Sequence, residues 1–199
     1  MDIALNLLVF AVTAMLLTLA PRDDGKWTPE KYRIAFRFFT VQSNVFCAAA
    51  CLLTAVFTLA GNVPQWVWLL KYAATAAVTV TLLTVFFYLA PSIGKGWAQR
   101  LLTGRPSDLF MHLLTPAAAL ISFCVYEKRG MSFGQALIAM VPVLLYGILY
   151  IRKTQFSPES KRWEDFYGFN RNGKLAVSAA GMLAGTFLVC IALMALQNR

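Results

Sequence analysis

Apolar residues in this chain run in long unbroken blocks separated by polar stretches. Six blocks, at about 2–20, 35–60, 66–90, 108–126, 133–151 and 174–196, approach the roughly 20 residues a helix needs to cross about 30 Å of hydrocarbon. Lipid offers no partner for backbone N–H and C=O groups, so each block is expected to be helical. The expected fold is all-α: one polytopic domain over residues 1–199, a bundle of six transmembrane helices. The first block lacks a basic leader, carries Asp2 and is followed by Pro21, so it reads as a retained span and not as a cleaved signal.

The loops differ in character. "GNVPQ" after the second span is a tight turn, whereas the stretch after the fifth span, near residues 152–174, is the longest connection. That stretch holds Trp163, Phe166, Tyr167 and Phe169, residue types that suit a membrane interface.

Composition agrees with this pattern: the chain is 59% hydrophobic and 14% charged, where a soluble domain carries about 25% charged residues. The net charge of +9 would suggest nucleic acid in a soluble protein. Here the basic residues lie between apolar blocks and read as topology signals, so the expected partners are the membrane and its lipids, not nucleic acid. Of the 18 Lys and Arg, 14 fall in or beside loops one, three and five. The positive-inside rule places those loops in the cytoplasm and both termini outside.

Four cysteines lie inside apolar blocks without a CxxC and read as small packing residues. Gly181 and Gly185 form a GxxxG in the sixth span. Close packing within the bundle is the favoured reading, with a homodimer face as the alternative.

The second span contains chemistry that a lipid-facing helix has no use for. Thr40, Ser43, Asn44, Cys47, Cys51, Thr54 and Thr58 recur every three or four residues, which gathers them on one helical face. That face is expected to point into the bundle, where its polar groups can bond across helices. The single histidine, His112, stands in "SDLFMHLLTP" near the start of the fourth span. An ionisable residue within a span is a functional candidate by default. One imidazole supplies neither two axial haem ligands nor a zinc site unaided, so no metal or cofactor is expected.

Depth links the two helices. Thr40 is expected about five residues, and His112 about four, inside the ends of their spans, or roughly 6–8 Å below the same surface. A hydroxyl and an imidazole at one depth can form a nucleophile–base pair. Asp108 lies one turn before His112 and either orients the imidazole or, like Ser107, caps the helix. Ser43 and Asn44 could bond the histidine or donate to an oxyanion.

At "FFTVQSN" and "FMHLLTP" the chain resembles the androgen-induced gene / androgen-dependent TFPI-regulating protein family and related bacterial six-helix membrane proteins. The segment after Thr40 is closer to the bacterial "FTxQSN" form. Animal members of that family hydrolyse fatty acid esters of hydroxy fatty acids. The resemblance implies that Thr40 attacks an ester carbonyl while His112 takes its proton, giving an acyl-threonine intermediate. Water then completes a hydrolysis; an amine or lipid alcohol in its place makes an acyltransferase. Phe36, Phe39, Phe86, Phe87 and Phe110 are candidates to line an acyl tunnel, with Arg37, Lys95 or Arg105 drawing a carboxylate to its mouth. The rival reading is a lipid-binding or transport bundle without chemistry.

Overall fold

The computed structural model describes residues 2–19, 22–23, 26–89, 96 and 106–199. Six helices among them are long and apolar enough to cross a membrane: α1 (Asp2–Leu19), α3 (Phe39–Leu59), α4 (Gln65–Phe87), α5 (Ser107–Tyr126), α6 (Phe133–Gln155) and α7 (Leu175–Gln197). A short helix, α2 (Pro29–Ala35), precedes α3. The two-residue strands Arg22–Asp23 and Lys26–Trp27 pair antiparallel before it. The protein is thus an all-α bundle with six membrane-spanning candidates.

Helix α4 is the hub. Two-thirds of its span is buried inside the bundle, against about a fifth for α1, α6 and α7. Its run of Ala73, Ala74, Ala76 and Ala77, all buried, lets neighbouring backbones approach. On one side Ala74 and Val78 pack with Val9 of α1, Cys47 and Cys51 of α3 and Ala119 of α5. On the other, Tyr72, Ala76 and Val80 pack with Val143 of α6 and Val189 and Leu193 of α7.

Helix α3 starts later than the hydropathy pattern predicts. The apolar block runs from 35, but the chain turns at Phe36 and Phe38 is extended before the helix begins at Phe39. One nearby and one distant side chain hold this break. Gln42 Nε2 donates to the Phe36 carbonyl at 2.7 Å. Tyr146 of α6 donates its hydroxyl to the Arg37 carbonyl at 2.8 Å. Thr40 therefore sits in the first turn of α3, not five residues inside it.

Two further expectations change. Thr54 and Thr58 bond the carbonyls of Ala50 and Thr54, four residues back on their own helix, and not across the bundle. Gly181 and Gly185 are not closely packed either, since a methyl group added at either would meet nothing within 4 Å.

At the end of the bundle near the chain termini, charge is buried. Lys71, fully buried on α4, donates to Asn6 Oδ1 of α1, to Cys51 Sγ at 3.1 Å and to Glu127 Oε1 at 3.5 Å. Glu127 Oε1 also accepts from Asn6 Nδ2 at 2.7 Å and Ser122 Oγ at 2.6 Å. The cluster joins α1, α3, α4 and α5, so Cys51 is a polar partner here as well as a packing residue. A buried ion pair is weak evidence of net stability, yet removing one member strands the other charge. Glu127→Ala is expected to destabilise the protein by about 3–5 kcal/mol. The double change Lys71→Met, Glu127→Leu should cost less, as read by chemical denaturation in detergent.

Candidate functional site

The first turn of α3 opens on a small cavity of about 40 Å³, lined by Thr40 and Phe39 together with Thr81, Tyr146, Tyr167 and Phe169. The cavity shares Thr84, Phe169 and Met182 with a larger apolar groove of about 590 Å³ between α4 and α7. Leu83, Phe87, Gly181, Gly185 and Leu188 line that groove. The two glycines open it, because neither carries a side chain to fill it. Of the five phenylalanines expected along a tunnel, Phe39 lines the cavity and Phe87 the groove. Phe36, Phe86 and Phe110 line neither. Lys95 and Arg105 lie outside the described residues, and the Arg37 carbonyl serves Tyr146 as an acceptor.

The long loop after α6 supplies a wall of this cavity, a role that its aromatic content did not reveal. Asp165 organises it: one carboxylate oxygen accepts from Tyr150 Oη at 2.6 Å and the Phe169 N–H at 2.9 Å, the other from the Asn170 N–H at 2.8 Å. Tyr150 Oη in turn accepts the Tyr167 N–H at 3.0 Å. The chain reverses at Gly168, whose φ of +66° suits a residue without a Cβ. Tyr167 is thereby directed at α3, where its hydroxyl accepts the Phe39 N–H at 3.1 Å. Burial holds the Tyr167 phenol above its ordinary pKa, opposed by the Phe39 N–H, the Tyr146 hydroxyl and both the side chain and N–H of Thr40. At neutral pH it is therefore a protonated hydroxyl set against Thr40.

His112 is reached through Asn44. The segment Phe110–Leu114 is a π-helical turn within α5, a feature that recurs at functional sites. The Thr115 N–H bonds to the Phe110 carbonyl five residues back. Pro116 has no N–H, so neither residue serves the Met111 carbonyl. Asn44 Nδ2 donates to that carbonyl at 3.0 Å and to the Thr40 carbonyl at 2.8 Å. One amide thus ties the turn that bears Thr40 to the residue before His112.

The sequence-expected site residues meet different fates. Both Asn44 N–H donors are spent on carbonyls, so it has none left for an oxyanion. Ser43 Oγ lies 2.9 Å from Thr81 Oγ1 and 3.1 Å from the Thr40 carbonyl, pinning α3 to α4. Asp108 is exposed, and although its charge acts on His112 no hydrogen bond joins them among the described residues. Nor does a hydrogen bond join Thr40 to His112 there; the imidazole Nδ1 is buried without a partner. No three His, Cys, Asp or Glu side chains gather to hold a metal ion among the described residues. Sequence reasoning missed Tyr167 and the Lys71–Glu127 cluster. Their partners lie far away along the chain and leave no local motif.

Comparison of the chain with family models, with curated proteins and with solved structures found no match.

If the Tyr150–Asp165 bond holds the loop down, Tyr150→Phe removes one of the two bonds to Asp165 Oδ1 and leaves the half-buried Tyr167 N–H without its acceptor. A group left unsatisfied in this way costs about 1–3 kcal/mol at most. Trypsin cleavage at the exposed Lys161 and Arg162 should then accelerate several-fold over wild type, as followed by gel electrophoresis.

Proposed function

We propose that the protein is an intramembrane lipid esterase with Thr40 as nucleophile and His112 as general base. The observation that carries this reading is that the Thr40 cavity and the apolar groove share Thr84, Phe169 and Met182 as walls. At about 590 Å³ the groove is of ligand size. An acyl chain lying in it from the lipid side brings its ester carbonyl to the first turn of α3.

The chemistry follows from the groups at hand. Thr40 Oγ1 attacks the carbonyl carbon as its proton passes to His112. The oxygen that gains charge in the tetrahedral intermediate takes a hydrogen bond from Tyr167, the protonated hydroxyl nearest Thr40. Collapse breaks the bond to the alcohol oxygen, and His112 returns the proton to that leaving group. Acyl-threonine remains, and water hydrolyses it to the fatty acid with Thr40 restored. The substrate class is an ester of a long-chain fatty acid.

Two variants test this. Wild type is expected to react covalently with a lipophilic fluorophosphonate, and Thr40→Ala to lose the label while remaining folded. Gly185→Leu places a side chain in the groove where a Cβ meets nothing. It should therefore fold, yet lower kcat/KM for palmitoyl esters at least ten-fold while sparing acetyl esters. Equal labelling of Thr40→Ala, or uniform behaviour of Gly185→Leu across chain lengths, would remove the support.

A further inference from the structure

Two of the buried polar atoms without a hydrogen-bond partner among the described residues belong to candidate-site residues: Asn44 Oδ1 and His112 Nδ1. Asn44 is fully buried. Its amide orientation is fixed by its surroundings, because Nδ2 faces the carbonyls of Thr40 and Met111. The flipped amide would set oxygen against two oxygens. Oδ1 is therefore an acceptor needing a donor, and no carbonyl can serve it. The bond to the Met111 carbonyl brings Asn44 to the residue preceding His112. Thr40 and Asn44, four residues apart on one helix, have neighbouring side chains, about 5–6 Å between Cβ atoms. A buried polar atom without a partner costs about 1–3 kcal/mol, and buried water is the usual remedy where polar groups converge.

We infer that Asn44 Oδ1 and His112 Nδ1 together hold a buried water molecule, and that this water is the nucleophile that releases the acyl group from Thr40. The inference rests on the esterase reading and deepens it. The water donates one hydrogen to Asn44 Oδ1 and the other to Nδ1 of the neutral imidazole, whose own proton is on Nε2; Nδ1 is thus the one basic nitrogen, and during acylation it takes the Thr40 proton through this water. When the acyl-threonine carbonyl arrives, the water oxygen forms a bond to its carbon and one water proton moves to Nδ1. Collapse breaks the bond between that carbon and Thr40 Oγ1, which takes the proton back from the imidazolium, and the fatty acid leaves. Asn44 acts as a positioning residue for the water and does not touch the acyl group. A site holding its own water favours hydrolysis over transfer to another alcohol.

The test separates acylation from deacylation. Purified protein in nanodiscs is mixed with a fluorogenic palmitoyl ester, and the first turnover is followed beside intact-protein mass spectrometry. Wild type should show Thr40 acylated transiently. Asn44→Leu also loses the bonds to the Thr40 and Met111 carbonyls, so its acylation slows, but palmitate release should slow about 100-fold more than acylation does, so that acyl-Thr40 accumulates. Equal loss in both steps, or unchanged release, overturns the inference. Wild type that never acylates on Thr40 overturns the esterase reading and the water's catalytic role with it. Should Asn44→Leu fail to fold, a high-resolution structure of the wild type decides the matter. Ordered water within about 3.2 Å of both atoms supports the site, and a site without such density overturns it.

Discussion

A backbone carbonyl that lacks a donor inside a bilayer has no solvent to turn to, and the bundle is arranged around one such carbonyl. Pro116 removes one N–H, and the π turn commits the Thr115 N–H to Phe110, which leaves Met111 unserved from its own helix. Asn44 answers from α3. That single bond fixes the rotation and depth of α3 against α5, and it spends the second amide hydrogen on the turn containing Thr40. Ser43, one residue earlier, fixes the same turn against α4 through Thr81. The polar residues that look out of place in an apolar span are thus fasteners first, and they determine where the Thr40 hydroxyl goes.

The two sides of α4 serve different ends. Toward α1, α3 and α5 a core of mostly small apolar side chains is crossed by polar bonds, and the Lys71–Glu127 cluster ties four helices together at the far end. Toward α7 the glycines hold the packing open. Thr40 lies between them, with the small cavity that shares walls with the apolar groove on one side and the turn tied by the Asn44–Met111 bond on the other. A nucleophile for lipid esters needs this combination: an apolar approach for the chain, and polar groups that do not have to be drawn from bulk water.

The six spans were legible in the sequence because membrane insertion is governed by local composition over about 20 residues. The depth of Thr40 was not, because the break before α3 is enforced by Tyr146, which lies more than 100 residues away. Tyr167 was hidden for the same reason: an aromatic in a long basic loop looks like an interfacial anchor until its bond to the Phe39 N–H, 128 residues away, is seen. The pairing of Lys71 with Glu127 leaves no trace in either local segment. The glycine pair signalled close approach correctly as a motif and wrongly as a contact, since the same absence of a side chain that permits packing also permits a groove. What the residue types did reveal was the candidate chemistry on α3 and α5, where helical periodicity and a lone histidine are visible without any knowledge of partners.

The position of Thr40 at the start of α3 raises the question whether a base is needed at all. A helix N-terminus carries about half a positive charge and favours a developing anion, but its effect is about 0.3–1 kcal/mol at exposed sites and about 2 kcal/mol at best. Removing the proton from an alkyl hydroxyl at neutral pH costs several times more than that. Part of the field is also already taken, because the Phe39 N–H is bonded to Tyr167. The helix end can therefore stabilise an oxyanion once formed but cannot create the nucleophile. On the esterase reading that task falls to a proton acceptor within reach of Thr40, and the chain has a single histidine to offer. The turn that carries it is the one Asn44 binds to the Thr40 carbonyl.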